Sequence, residues 1–226
     1  MKKYSHKKLD YVNVAHFWIR TSTLTLKEAI VLTMMRRRVE ENNTEFLGSI
    51  LSLEKASGIS RHTIKDYIEK FESLKILNLK NGRYFFRDDY EKYIDSMVKQ
   101  DEENEYKINP KRTYHSTYTC YHFKTAKELG LNYRQYFFID IHIGLFLKKG
   151  HGTSPKDYTK RTLGIEERYY FKLKEQLFRK GYLETSVNGK FDIINVSDRV
   201  MITLGKMRDE IKTPNKRLSS LYTMIV

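Results

Sequence analysis

The 226-residue sequence contains a single cysteine, Cys120, and only three prolines. One cysteine excludes an internal disulfide and a zinc site built on several cysteines, and it suits a reducing compartment. The most apolar run, Phe137 to Leu147, is broken by Asp140 and His142 and is too short to span a bilayer. The basic N-terminus has no apolar stretch behind it, unlike a signal peptide. We therefore expect a cytoplasmic protein with no membrane partner.

Motifs of common nucleotide and nucleic-acid enzymes are also missing. There is no glycine-rich phosphate loop ending in Gly-Lys-Ser/Thr. His142 stands alone, without the His-x-His motif of rolling-circle nucleases, and no histidine has the arginine three residues later that a tyrosine recombinase would show. His115, Cys120 and His122 lie close in sequence, but aromatic strand packing explains them better than a metal site, which needs further ligands. We expect no enzyme activity, no cofactor and no metal.

Positive charge is abundant. The chain has 42 Lys and Arg against 28 Asp and Glu, a formal net charge of +14 and a pI of about 9.6. Such a balance favours a polyanionic partner, either nucleic acid or an anionic membrane. A basic but otherwise ordinary soluble protein would show the same balance, so charge alone does not decide the function.

The sequence contains the same pattern twice. Gly58-Ile59 precedes a helical stretch ending near Leu77, and Asn81-Gly82 follows as a turn. The same features recur at Gly164-Ile165, Leu183 and Asn188-Gly189. Each unit predicts a short helix, a turn, a longer helix and a β-hairpin, which is the order of a winged helix-turn-helix. Other helix–helix–hairpin units share Gly and Leu at matching places, so the similarity need not mean duplication.

Several local expectations accompany this pattern. Ala15 to Arg20 favours a strand, and Thr25 with Glu28 has the spacing of a helix-capping box. The acidic stretch 88–106 predicts a helix that gives way to a linker, and Tyr118 to Lys124 predicts a strand opening the second domain. Asn132 with Gln135 repeats the capping pattern before a long apolar helix.

The first long helix carries the best candidates for DNA contact. Its apolar positions recur at three- and four-residue steps, which leaves the basic ones outside. Arginine pairs bidentately with guanine, and hydroxyl groups bond to phosphate. The first-helix candidates are Ser60, Arg61, His62, Thr63 and Lys65, and Arg83 is the candidate beside the first hairpin turn.

The second unit is a weaker candidate because its long helix begins with Glu166 and Glu167, whose carboxylates would repel phosphate. A dimerisation or partner-binding domain is the alternative for this unit. Its candidates are Lys156, Lys160 and Arg161 on the preceding helix, Arg168, Tyr169 and Lys172 on the long helix, and Lys190 beside the second hairpin turn.

The segment LEKASGISRHTIKDYIEKFESLKIL resembles the helix-turn-helix of bacterial and phage DNA-binding proteins. With its repetition, the chain resembles tandem winged-helix proteins of plasmids and phages. The resemblance implies an α+β fold of two winged helix-turn-helix domains in tandem. The expected layout is a basic arm (1–10), domain 1 (11–87), an acidic helix and linker (88–112), domain 2 (113–197), and a C-terminal helix and tail (198–226).

The resemblance implies a sequence-specific binder of double-stranded DNA, and three roles remain open. A transcriptional regulator associated with a mobile genetic element is the first, and a homodimer is considered because such regulators usually dimerise. A plasmid or phage replication initiator binding origin repeats is the second, since initiators resemble two winged helices in one chain. A winged-helix adaptor that binds protein is the third.

Overall fold

The computed structural model describes residues 11–39, 43–108, 118–149, 156–188, 191–197, 199–200 and 203–204. These residues form helices and small antiparallel sheets, which confirms the α+β class. The chain divides into two compact units, Met1–Phe123 and Lys124–Val226. The expected basic arm, residues 109–112 of the linker and most of the C-terminal segment lie outside the described residues. None of the described helices is both long and apolar enough to cross a membrane.

The first unit alternates short strands with helices. Its elements are β1 (Tyr11–Ala15), α1 (Phe17–Arg20), α2 (Leu26–Arg36), α3 (Ile50–Ser57), α4 (Arg61–Ser73), β2 (Leu77–Lys80), β3 (Arg83–Phe86), α5 (Tyr90–Ile108) and β4 (Tyr118–His122). The predicted capping box opens α2, because Thr25 Oγ1 accepts from the Glu28 backbone while the Glu28 carboxylate accepts from the Thr25 backbone.

The β2–β3 hairpin forms around the Asn-Gly turn as predicted. Asn81 and Gly82 have φ of 50° and 73°, the pair of positive values that a type I′ turn requires. A third segment pairs with β3: the Phe46 N–H donates to the Tyr84 carbonyl at 2.8 Å, and the Phe86 N–H donates to the Thr44 carbonyl at 2.7 Å. Residues 44–46 therefore add a short extended edge to the hairpin.

The core of the first unit lies between α2, α3, α4 and the hairpin. Helix α2 is buried along most of its length, while α3 and α4 each bury one face. The fully buried side chains include Leu32, Met34, Met35, Leu53, Ile64, Ile68, Phe71, Ile76, Leu77 and Phe86. The three- and four-residue spacing predicted for the inner face of α4 is confirmed at Ile64, Ile68 and Phe71.

Two expectations for the first unit are wrong. The first is the strand expected from Ala15 to Arg20: the strand ends at Ala15 as β1, and Phe17–Arg20 is a short helix. The first three side chains of this helix are all buried, whereas successive side chains of a strand alternate between its two faces. The acidic stretch stays helical to Ile108 instead of giving way to a linker. A tertiary contact stabilises α5 within this stretch: Arg20 of α1 forms a bidentate ion pair with Asp101 of α5, and the two side chains are only 6% and 7% exposed.

The strand expected to open the second domain belongs to the first unit. β4 pairs antiparallel with β1, with Asn13 opposite Cys120. The buried His16 Nε2 lies 2.9 Å from Thr119 Oγ1 beside this pairing. Because the partners lie more than 100 residues apart in sequence, local patterns do not reveal the pairing. The structural division at Phe123 consequently falls after the sequence-based boundary at residue 112.

The second unit repeats the helix–helix–hairpin order. Its elements are α6 (Phe123–Glu128), α7 (Tyr133–Lys149), α8 (Lys156–Leu163), α9 (Glu167–Arg179), β5 (Leu183–Asn188) and β6 (Phe191–Val196). Asn132 and Gln135 bond to each other's backbone N–H at the start of α7, which confirms the capping prediction. The core includes Tyr136, Phe137, Phe138, Tyr158, Leu163, Tyr170, Leu173, Leu177 and Tyr182.

The repeated pattern extends to the boundaries of the helices. Shifting α3 and α4 by 106 positions gives the bounds of α8 and α9. The turn glycines Gly58 and Gly164 have φ of 70° and 59°. After the long helix, the Ile76 N–H donates to the Phe71 carbonyl and the Tyr182 N–H to the Leu177 carbonyl, both at 2.9 Å. The two units therefore share one local backbone design from the short helix to the start of the hairpin.

Candidate nucleic-acid interface

The N-terminal turn of α4 is fixed by its own hydroxyl groups. Ser60 caps the helix, with its Oγ accepting from the Thr63 backbone N–H at 3.3 Å. The Ser60 and Thr63 hydroxyls also lie 2.9 Å apart. A serine at this position satisfies a backbone donor that the helix leaves unpaired, so this turn is held in one conformation. Both hydroxyls remain at or near the surface, where they have further bonding capacity.

Arg61 joins the two helices on either side of the turn. Its Nε lies 2.9 Å from Glu54 Oε2 of α3, and its backbone N–H donates to Glu54 Oε1 at 3.3 Å. The arginine side chain is still 62% exposed. Arg61 therefore orients α3 and α4, and any contact with a phosphate or a base would use a guanidinium already held by a carboxylate.

His62 and Lys65 complete the predicted set on α4. Both are exposed, and within the described part of the chain Lys65 has no ion-pair partner. Lys70, further along the helix, pairs with Glu28 at 2.7 Å and is tied to the capping box of α2. Lys65 is thus the α4 cation best placed to meet an anion without first breaking an ion pair.

The outermost line of side chains on α4 is acidic. Four exposed residues at helical spacing form the α4 ridge: His62, Asp66, Glu69 and Ser73. With His62 neutral, the ridge has a formal charge of −2. Sequence reasoning did not identify Asp66 and Glu69, although counting positions opposite Ile64, Ile68 and Phe71 would have found them.

Three arginines near the first hairpin are also held by polar partners. Arg83 Nη1 lies 2.9 Å from Glu45 Oε1, although the arginine side chain is 68% exposed. Arg36 pairs with Glu91 at 2.7 Å, and Arg38 donates to Ser52 Oγ on α3. Burial lowers the pKa of Arg38, which remains a cation because arginine titrates far above neutral pH. The arginine run at the end of α2 thus holds elements together.

In the second unit the predicted basic row on α8 is bound to the first turn of α9. Lys156 Nζ lies 2.6 Å from Glu167 Oε1, and Lys160 Nζ lies 3.4 Å from Oε2. The hydrogen bond from Lys156, and then that from Lys160, lowers the pKa of Glu167. The pKa of Lys160 is raised, first by Asp157 and then by Glu167. Lys156 and Lys160 are therefore neutralised within the unit and do not form a row of unpaired cations.

The ion pairs of the two units occupy equivalent positions with opposite polarity. Glu54 and Arg61 correspond, 106 residues later, to Lys160 and Glu167. In the first unit the short helix supplies the anion and the long helix the cation, whereas in the second unit the signs are exchanged. Both arrangements join the two helices across the turn. The ion pair is therefore a structural clamp between the two helices, and the backbone does not determine which helix supplies the positive charge.

The long helix of the second unit exposes cations instead. The residues equivalent to the α4 ridge form the α9 ridge: Arg168, Lys172, Glu175 and Arg179. Glu175 pairs with Arg179 at 2.6 Å. Within the described residues Arg168 and Lys172 have no hydrogen-bond or ion-pair partner. This ridge has a formal charge of +2.

The remaining predicted residues differ in placement. Tyr169 is half-buried, with the Arg134 guanidinium 5.1 Å from its ring centroid, so it packs against α7 more than it faces outward. Arg161 is half-buried in the last turn of α8. Lys190 lies outside the described residues. Among the residues that are described, no group of three or more His, Cys, Asp and Glu side chains is placed to hold a metal ion.

Comparison of the chain with protein-family models, curated proteins and solved structures gives no match. The geometry and charge of the two helix pairs therefore provide the basis for assigning a function.

Proposed function

We propose that the chain is a sequence-specific double-stranded DNA-binding protein of the cytoplasm, built from two winged helix-turn-helix units. The observation that carries the proposal is the twofold occurrence of a short helix, a glycine turn, a long helix and an antiparallel hairpin, with equal helix bounds in both units. A helix-turn-helix places its second helix in the major groove. In both units that helix has an exposed polar ridge on the side opposite the core.

The net charge of +14 supports the same proposal. Cations near phosphates release counterions from DNA, which gives affinity that falls steeply with salt. Base discrimination requires a smaller number of fixed donors. The capped N-terminal turn of α4, with Arg61, His62 and Lys65, offers such donors, and Ser60 and Thr63 offer hydroxyls for phosphate.

The test is selection from a pool of random duplex DNA, followed by binding measurements across a salt series. One enriched motif with a steep salt slope is the expected result. The symmetry of the enriched motif would show whether one unit, both units or a dimer contacts the bases of the DNA site. Weak binding without enrichment would overturn the proposal, because the charge would then act without sequence preference.

Regulation of transcription by occupying a promoter is the role we propose first, in association with a mobile genetic element. Replication initiation is the second candidate, and the presence of two similar units in one chain favours it. The target separates the two roles. A single operator beside a promoter supports the regulator, whereas directly repeated sites beside an AT-rich region support the initiator.

A protein-binding adaptor is the candidate from another class. Replacing Arg61 and Lys65 with Ala tests it, because an adaptor would lose no DNA affinity. Arg61→Ala also leaves the Glu54 carboxylate without its partner, so Lys65→Ala alone is the cleaner variant. Glu54→Gln serves as the matched control, since it breaks the clamp without removing a cation.

A further inference from the structure

The two long helices are not electrostatically equivalent. At the same ridge position, α4 has Asp66 and α9 has Lys172; one turn earlier, α4 has His62 and α9 has Arg168. The ridge charges are −2 and +2. Backbone bounds are shared, so the difference comes from side chains alone.

Two cations of the α9 ridge, Arg168 and Lys172, have no hydrogen-bond or ion-pair partner among the described residues. Glu167, in the first turn of α9, is held by Lys156 and Lys160 and lies on the flank of α9 that faces α8. The repulsion that Glu167 would exert on phosphate is therefore largely cancelled, whereas Glu166, at the N-cap, is exposed and has no ion-pair partner among the described residues. Arg168 and Lys172, four residues apart on one face, point outward beside it.

The first unit has the opposite arrangement. Arg61 and Lys70 are both paired with carboxylates, which leaves Lys65 as the exposed α4 cation without an ion-pair partner among the described residues. Asp66 and Glu69 occupy the middle of the α4 ridge. A groove lined by phosphates repels this stretch, so only the first turn of α4 can approach DNA closely. Formal charge over whole units agrees: residues 1–123 contain 22 basic and 17 acidic residues, and residues 124–226 contain 20 and 11, giving +5 and +9.

From these observations we infer that the α9 ridge is the main electrostatic docking face for duplex DNA, with Arg168 and Lys172 contacting phosphates. The first unit contributes only the N-terminal turn of α4. The inference rests on the proposed function and reverses the order that the sequence suggested for the two helices. Duplex DNA is the partner that fits the positive charge of the α9 ridge, because its backbone presents one negative charge per about 1.7 Å of helix axis.

The experiment compares the intact chain with Arg168→Gln/Lys172→Gln on a labelled, mixed-sequence duplex from about 50 to 300 mM salt. Each lost phosphate contact lowers the slope of log affinity against log salt by about 0.9, so the double variant should lower it by nearly two. At about 0.1 M salt the affinity should fall about 10- to 100-fold. Both side chains are exposed, and circular dichroism with a urea midpoint checks that folding is unchanged.

Lys124→Gln/Lys127→Gln is the control of equal charge, because it removes two exposed positive charges from α6, a different helix of the same unit, where Lys124 lies 3.6 Å from Glu128. Its slope should stay close to that of the unsubstituted chain. Equal effects of the two double variants would overturn the inference, and so would a larger loss from His62→Gln/Lys65→Gln. If the unsubstituted chain fails to bind duplex DNA at low salt, the proposed function itself fails, which is a distinct outcome.

Discussion

The ion pair between Arg20 and Asp101 yields the most direct stability prediction. It joins α1 to α5 through two parallel hydrogen bonds, and both side chains are more than nine-tenths buried. Asp101→Asn keeps the shape of the side chain but removes the carboxylate charge with which the buried guanidinium pairs. Breaking a buried pair in this way costs about 3–5 kcal/mol, a large part of the roughly 5–15 kcal/mol that stabilises a domain.

The assay is urea unfolding followed by tryptophan fluorescence. Trp18 is the only tryptophan, it is 3% exposed, and its ring centroid lies 6.1 Å from that of Tyr93 on α5. It therefore reports the contact between α1 and α5. With an m value of about 2 kcal/mol per molar urea, a loss of about 4 kcal/mol lowers the midpoint by about 2 M.

Two variants make the result interpretable. Glu91→Gln breaks the exposed pair that also connects α5 to the unit, through Arg36, and should cost about 1 kcal/mol or less. Arg20→Met/Asp101→Leu replaces the buried pair by apolar side chains and should recover most of the lost stability. If Asp101→Asn costs no more than Glu91→Gln, the reasoning about this buried pair is refuted.

Two further predictions concern stability. Burial lowers the pKa of His142 to about 4 in the folded chain, whereas the unfolded chain has a histidine pKa of about 6.5. The unfolded state therefore takes up a proton first as the pH falls, and the free energy of unfolding decreases by about 3 kcal/mol between about pH 6.5 and 4. His142→Leu should flatten this dependence in pH-resolved urea unfolding, and an unchanged acid dependence would contradict it. Gly58 ends α3 at a φ of 70°, and a Cβ atom added there would meet open space. Gly58→Ala should therefore cost about 1–2 kcal/mol from backbone strain alone. Gly48→Ala, at a position without positive φ, is the comparison for the urea midpoint, and its loss should come instead from contact with the Phe46 ring.

Local patterns were sufficient to predict the helix pairs and the first hairpin. Ser60, Gly58 and the Asn81-Gly82 turn act within a few residues of themselves, through capping, positive φ and turn geometry. Their effects do not depend on distant parts of the chain, and the structure confirms each of them. The inner face of α4 was predictable for the same reason.

The errors arose where distant residues decide the structure. Helix α5 is contacted at Asp101 by Arg20, and β4 pairs with β1. Neither Arg20 nor β1 can be predicted as a partner from the residues that surround α5 or β4 in the sequence. The short α1 is only four residues long, below the length at which helical periodicity can be recognised, and its aromatic residues favoured a strand.

The ion pairs of the candidate site could not be predicted for a related reason. The sequence shows which residues are basic but not which of them pair with a carboxylate in the folded chain. Arg61, Arg83, Lys156 and Lys160 each meet a carboxylate in the folded chain. One signal was available, because the 106-residue shift places opposite charges at positions 54 and 61 and again, reversed, at 160 and 167.

The reversed polarity of these two ion pairs shows that charge has two different roles in these helices. An ion pair across the turn stabilises the helix pair in either polarity, since its energy depends on the distance between the charges and their opposite signs. Attraction to DNA depends on the sign itself, because every phosphate is negative. The ion pair across the turn can therefore have either polarity without a change in the backbone. On the ridge, by contrast, having Lys172 in place of the equivalent Asp66 makes the surface attract phosphate instead of repelling it. Similar helix pairs in one chain can thus differ in how strongly they bind a polyanion, and the α9 ridge is the one whose charges favour it.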